Sequence, residues 1–375
     1  MGNSDRSKIF LLAGERSGDL HGSNLIKSLL ARQPTLEVTC WGGDMMREAG
    51  AKVSVHYNQL AFMGFWEVFK NLLTIRRLLK QCKEEILNLN PDLIVLIDYP
   101  GFNLKIAEFA KAQSIPVHYY IAPKAWAWNA SRATKIARFV DKVYGILPFE
   151  VDFFRSYGVN IEYVGNPLID AIRTTEVSQS FSDKYNRDKT VAILPGSRYQ
   201  EVTNMLGLMT TIMESRPDYT FLIAAVDNLP KELYEAAERL ANVELVYDAT
   251  YDILRNSKAA IVTSGTATLE TALLNCPQVV CYRTSPVTYA IAKRLVKIKY
   301  ISLVNLIADK EVVRELIQHD FNEQELNSEL SRLLNEEGYR AAMLDDYERV
   351  KEIVTDQSPS ETTANQILHA IGATT

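Results

Sequence analysis

The 375-residue chain has few cysteines and few histidines, and it has no long apolar run. Uninterrupted apolar stretches such as Leu93–Ile97 fall far short of the roughly 18 residues a membrane-spanning helix needs. The four cysteines, Cys40, Cys82, Cys276 and Cys281, form no CxxC pair and no metal-ligand spacing, so buried reduced thiols are expected. Five histidines (His21, His56, His118, His319 and His369) give no ligand pair at helical spacing. No D-x-D occurs, so the usual carboxylate pair for a divalent ion on a diphosphate is missing and no metal is expected. Net charge is −5, which excludes a broad nucleic-acid surface. The first residues, MGNSDRSKIFLLAGE, do not read as a secretory signal, and the expected compartment is the cytoplasm.

The composition that remains is that of a globular protein, 47% apolar and 23% charged, long enough for about two domains. Apolar runs alternate with amphipathic stretches. KIFLLAG, LEVTCWG, DLIVLIDY, PVHYYIA, KVYGIL and IEYVG read as strands, and residues 20–31 and 104–112 as helices between them. The pattern pauses at Gly165-Asn166-Pro167 and a polar stretch, 174–189. It restarts with TVAILPG, YTFLIAAV, VELVY, AAIVTSG and PQVVCYR. This predicts an α/β protein of two Rossmann-like parallel-sheet domains, residues 1–170 and 171–340, with strand-end loops facing a cleft. From about Asn322 only helices are expected. The last segment, 341–375, is expected to pack back on the first domain or to exchange with a partner chain in a homodimer.

Four strand-end loops carry candidate chemistry. In KIFLLAGERSGDLHG, Ser17 and Asp19 can bond sugar hydroxyls or simply cap a helix. The spacing is not GxGxxG, so no dinucleotide site follows. In LIVLIDYPGFN, Asp98 ends a strand at the ligand-binding edge, where it can serve as a general base or cap the next helix. In VAILPGSRYQEV, the backbone of Gly196 and Ser197 and the guanidinium of Arg198 converge at a helix N-terminus, an anion site. In AAIVTSGTATLETA, Ser264, Gly265, Thr266 and Ala267 form a second such cradle, with Glu270 one turn on, placed to take ribose hydroxyls. Two cradles in one half favour a nucleotide diphosphate there. His21 is expected to be structural.

Residues 61–83 form an apolar helical stripe with Lys70, Arg76, Arg77, Lys80 and Lys83 against Glu67, and five cations minus one acid gives +4. Residues 290–300 repeat the character with Lys293, Arg294, Lys297 and Lys299. Each is either a core helix with a solvated basic face or an attachment to an anionic membrane surface; the pair points to the membrane.

Together these motifs resemble the bacterial lipid A disaccharide synthases, inverting glycosyltransferases of the two-domain GT-B kind. The resemblance rests on GERSGD at 14–19, Met63-Gly64, IDYPGFN at 97–103, APKAWAW at 122–128, VGNPLID at 164–170, LPGSR at 194–198, SGTATLE at 264–270 and SLVNLIADKEVVRELIQ at 302–318. It implies transfer of a diacylglucosamine from UDP to the 6-hydroxyl of a diacylglucosamine 1-phosphate, at the inner face of the cytoplasmic membrane. Asp98 would be the general base. Gly196 to Arg198, Ser264 to Ala267, Glu270 and Asn305 would hold the donor's UDP. Glu15, Ser17, Gly18, Asp19, Met63, Gly64, Phe102 and Asn103 would meet the acceptor and its acyl chains. Arg16, Asn166 and Val304 depart from the familiar pattern. A UDP-sugar 2-epimerase of the same architecture, or a non-catalytic membrane-surface binder, would share the fold. The basic apolar helix argues against the first, and the two cradles with Asp98 against the second.

Overall fold

A computed structural model describes residues 7–60, 72–128, 130–295, 298–355 and 358–373. The chain divides into two compact units, 1–173 with 354–375, and 174–353. The sequence places the second break near 340. The helix Glu337–Thr355 nevertheless stays with the second unit through most of its length, because its buried Met343 and Tyr347 meet Gln278.

The first unit holds a seven-stranded parallel sheet: β1 (Lys8–Ala13), β2 (Glu37–Gly42), β3 (Lys52–His56), β4 (Leu93–Ile97), β5 (Val117–Tyr120), β6 (Lys142–Gly145) and β7 (Ile161–Tyr163). Their order is β3-β2-β1-β4-β5-β6-β7. The sheet is central because its strands are apolar on both faces, as parallel strands covered by helices must be. All five residues of β4 are buried, and alternate residues feed two separate cores. Ile94 and Leu96 join one with Phe10, Leu12 and Trp41; Val95 and Ile97 join the other with Ile9 and Leu11. The second core also takes Ile367 and Leu368 of the terminal helix Pro359–Ala370, which lies against the helix Arg16–Arg32.

The second unit holds six parallel strands: β8 (Thr190–Leu194), β9 (Thr220–Ala225), β10 (Val243–Tyr247), β11 (Ala259–Thr263), β12 (Gln278–Tyr282) and β13 (Glu315–Ile317), ordered β10-β9-β8-β11-β12-β13. The expected α/β class and its two parallel sheets are present. Two edge strands, β3 and β13, are additions to the sequence reading. Both are short and half-exposed, so neither shows the apolar run that marks a central strand. All four cysteines are free and buried.

Candidate functional site

In each sheet the strand order reverses once, between β1 and β4 in the first and between β8 and β11 in the second. Open parallel sheets bind ligands beyond the carboxyl ends of the strands at that reversal. The four candidate loops leave these four strands. Ala13 pairs with Ile97, so the GERSGD and Asp98 loops emerge side by side. Leu194 pairs with Val262, so the LPGSR and SGTA loops do the same.

In the first unit, Asp98 is half-buried at the end of β4, and its N–H donates to the Tyr120 carbonyl at 3.3 Å, the last rung of the ladder. Asp98 and Tyr99 then turn left-handed, with φ of 44° and 46°, before Pro100 opens the helix Pro100–Ala112. The Tyr99 ring lies directly over Gly14, where a Cβ would run into it. Its hydroxyl donates to Leu60 O at 2.6 Å, and burial, with Glu15 nearby, pushes the phenol up to about 12. Gly14 is therefore the point at which the two loops touch. Ser17 and Arg16 are exposed and Glu15 is half-buried at the start of the helix Arg16–Arg32.

Other motif residues turn inward. Asp19 is buried, and its carboxylate accepts from the N–H groups of Gly43 at 2.7 Å, Met46 at 3.1 Å and Met45 at 3.2 Å. It caps the short helix Asp44–Glu48, not its own, so its oxygens are not turned to a sugar. Phe102 packs in the core against Trp41, with ring centroids 5.9 Å apart. Asn103 is fully buried, and its amide donates to the carbonyls of Asp98 at 2.7 Å and Ile97 at 3.2 Å. Acceptor contact was expected of Asp19, Phe102 and Asn103; the structure puts all three beneath the loops. Met63 and Gly64 lie outside the described residues. His21 is buried beside Asp170, and burial draws its pKa down to about 4, a neutral structural imidazole.

In the second unit, Gly196 turns the chain at φ 113° toward the helix Tyr199–Glu214. The cradle there already holds an anion of the chain's own. Glu201 accepts from the N–H groups of Ser197 at 3.0 Å and Arg198 at 3.2 Å, and pairs with the Arg198 guanidinium at 3.1 Å. Arg198 is otherwise exposed to solvent. Glu201 is not among the residues expected at this cradle, although a glutamate three residues past a helix start is the capping-box spacing. The neighbouring cradle opens the helix Thr266–Leu273, whose first N–H groups have no partner within the helix. Ser264 ties this loop to residue 301, its hydroxyl donating to Ile301 O at 3.0 Å. Glu270 is half-buried and accepts from the Tyr251 hydroxyl at 3.0 Å, and burial raises its pKa. Asn305 is fully buried. Its amide donates to Val313 O and Glu315, and its oxygen accepts from the N–H groups of Val312 and Val313, all within 2.9 Å. Asn305 thus braces the 300–315 turn from within, where nucleotide contact was expected.

The three departures have plain local roles. Arg16 is exposed, Val304 fills the core, and Asn166 accepts from Leu168 N–H at 3.1 Å, capping the helix Leu168–Thr174. Asp170, from the same motif, receives Ser358 Oγ at 3.1 Å and Ser360 N–H at 3.0 Å and so docks the terminal helix. Of the basic stripe, the helix Leu72–Leu89 is described. It exposes Leu73, Arg76, Arg77 and Lys80, while Lys83 sits over the Phe109 ring at 5.1 Å. Lys293 and Lys299 are exposed; the side chains of Arg294 and Lys297 lie outside the described residues. Among the described residues no helix is long and apolar enough to cross a membrane.

The fold is shared with solved structures of low sequence identity. A UDP-GlcNAc 2-epimerase from Neisseria meningitidis bound to UDP-GlcNAc aligns with a TM-score of 0.68 at 14% identity, covering 96% of this chain and 100% of that one. The glycotransferase of kitacinnamycin aligns at 0.67 and 12%, covering 98% and 99%. Sequence comparison is more specific. The lipid-A-disaccharide synthase of Geobacter sulfurreducens is 35% identical over 377 residues, 97% of each chain. That of Syntrophus aciditrophicus is 36% identical over 354 residues, 92% of each. A family model described as lipid-A-disaccharide synthetase matches residues 9–370. With that span and those relatives, the chain belongs to the lipid-A-disaccharide synthetase family of glycosyltransferases.

Proposed function

We propose that the protein transfers a 2,3-diacylglucosamine from UDP to the 6-hydroxyl of 2,3-diacylglucosamine 1-phosphate, giving a β-1,6-linked disaccharide 1-phosphate and UDP. The observation that carries this is the placement of Asp98 at the carboxyl end of β4, beside the strand reversal, on a left-handed turn. A sugar hydroxyl is a weak nucleophile. Asp98 accepts its proton as the new C–O bond forms, an effect worth roughly 10²–10⁴-fold in rate. Attack comes from the face opposite UDP, so the anomeric configuration inverts. The electron pair of the breaking bond leaves on the diphosphate.

The second unit receives that charge. The N-terminus of the helix Thr266–Leu273 and the Arg198 guanidinium are the groups suited to it, with Glu270 on the ribose. Because Glu201 holds the amides of Ser197 and Arg198, their share in binding is to shape the loop, and the guanidinium makes the contact. No metal takes part in this scheme. The protein works at an anionic membrane surface, on the inner face of the cytoplasmic membrane, attached through the basic face that bears Arg76, Arg77 and Lys80.

The test is Asp98→Asn, assayed with both acylated substrates and mass analysis of the product. The expected result is loss of most kcat with UDP binding retained. Near-normal turnover would remove Asp98 from the base role. UDP-sugar turnover without a lipid acceptor would instead favour an epimerase.

A further inference from the structure

The turn that carries Asp98 is one its residues resist. Asp98 and Tyr99 both have a Cβ, and left-handed backbone is disfavoured for such residues, most strongly for Tyr99, since a short aspartate side chain tolerates it better. A strand that simply ran on would leave Asp98 extended and aim its carboxylate elsewhere. Two buried side chains oppose that outcome by holding the same atom. The Asn103 amide donates to the Asp98 carbonyl at 2.7 Å, and the Tyr119 hydroxyl, from β5, donates to it at 2.5 Å. Asn103 also grips the carbonyl before it, that of Ile97, at 3.2 Å. Both side chains are fully buried. A flip of the 98–99 peptide would carry the carbonyl away from both donors, leaving the Tyr119 hydroxyl and one N–H of the Asn103 amide buried without a partner. The pair therefore opposes relaxation of the turn. Burial first, and then the charge of Asp98, keep the proton on the Tyr119 phenol, so the donor persists at any working pH.

Resting on the reading of Asp98 as general base, we propose that Asn103 and Tyr119 are positioning residues, which aim the Asp98 carboxylate by clamping the peptide that follows it. Neither touches substrate. Each acts only through the geometry of Asp98.

The experiment is a double-mutant cycle on the full chain, combining Tyr119→Phe with Asp98→Asn. Tyr119→Phe removes one hydroxyl and leaves the ring in place. The expected result is a kcat lower by roughly 10–100-fold, the cost of a base misplaced by about an ångström. KM for both substrates and the affinity for UDP should stay within about twofold. In the Asp98→Asn background the same substitution should add nothing further, because the group it positions is already gone. Asn103→Ser, in the same cycle, gives an independent reading should Tyr119→Phe fail to fold. Unchanged kcat, a change confined to KM, or losses that multiply across the cycle would each overturn the proposal. Near-normal turnover of Asp98→Asn alone would overturn the base reading, a separate and distinguishable outcome.

Discussion

Glu150 offers a test in which the sign and size of a pH effect follow from position alone. It lies just past β6, almost fully buried, and accepts from the N–H groups of Ile146 at 2.6 Å and Leu147 at 3.0 Å. Those bonds favour the charged form. Burial outweighs them and raises the pKa from 4.5 to about 7. The folded state therefore holds a proton that the unfolded chain releases between those values. The resulting stability is fully present below pH 4.5 and is lost as pH rises through 7. At about 1.4 kcal/mol per pH unit, the whole gap is worth about 3 kcal/mol. Glu150→Gln keeps an oxygen for both N–H groups and carries no charge. Urea unfolding of both proteins at pH 5, 6, 7 and 8 reads the difference directly. The glutamine variant should be the more stable by about 3 kcal/mol at pH 8, falling to about 1 kcal/mol at pH 5. His21 and His118, drawn down to about 4 by burial, act in the opposite sense, since stability is lost as pH falls from 6.5 toward 4. They are present in both proteins and cancel. A difference that does not change with pH would refute the reasoning.

Two further outcomes follow from the proposed reaction. Exhaustive EDTA treatment should leave turnover unchanged, since Arg198 and a helix N-terminus meet the diphosphate charge; a strict Mg²⁺ requirement would contradict this. The protein should float with anionic vesicles and not with neutral ones, and replacing Arg76, Arg77 and Lys80 by glutamate should abolish flotation, each cation near the surface being worth about 1 kcal/mol. Flotation indifferent to vesicle charge would remove the basic face from that role.

The parts of the fold that were legible in the sequence are those where burial is uniform. β1, β4, β8 and β11 read as apolar runs because helices cover both faces of the sheet. β3, with the sequence KVSVH, and the three-residue β13 belong to sheet edges. Solvent takes over part of their surface there, and the apolar signal fades. The return of the terminal helix to the first unit is not legible in the sequence because its anchor is a tertiary one. Asp170 reaches Ser358 and Ser360 across half the chain, and no local pattern announces it.

The candidate site shows a second limit, one of direction. A motif states which residues are gathered at a strand end. It does not state which way each side chain turns, because that depends on partners contributed from elsewhere. Asp19 finds the amides of Gly43, Met45 and Met46, Asn305 finds Val312, Val313 and Glu315, and Asn103 finds the carbonyls of Ile97 and Asp98. In each case a buried backbone group needs a partner, and the polar motif residue supplies it. Asp98, Ser17, Arg198 and Thr266, by contrast, keep surface at the carboxyl edge of their sheets. A strained turn such as 98–99 requires both kinds at once, an outward group to do chemistry and inward groups to hold the bend. The inward residues of a motif should therefore be as intolerant of substitution as the outward ones, and the two are told apart by how they fail. Loss of an outward group removes a step. Loss of an inward one misplaces it, and leaves the binding of either substrate largely intact.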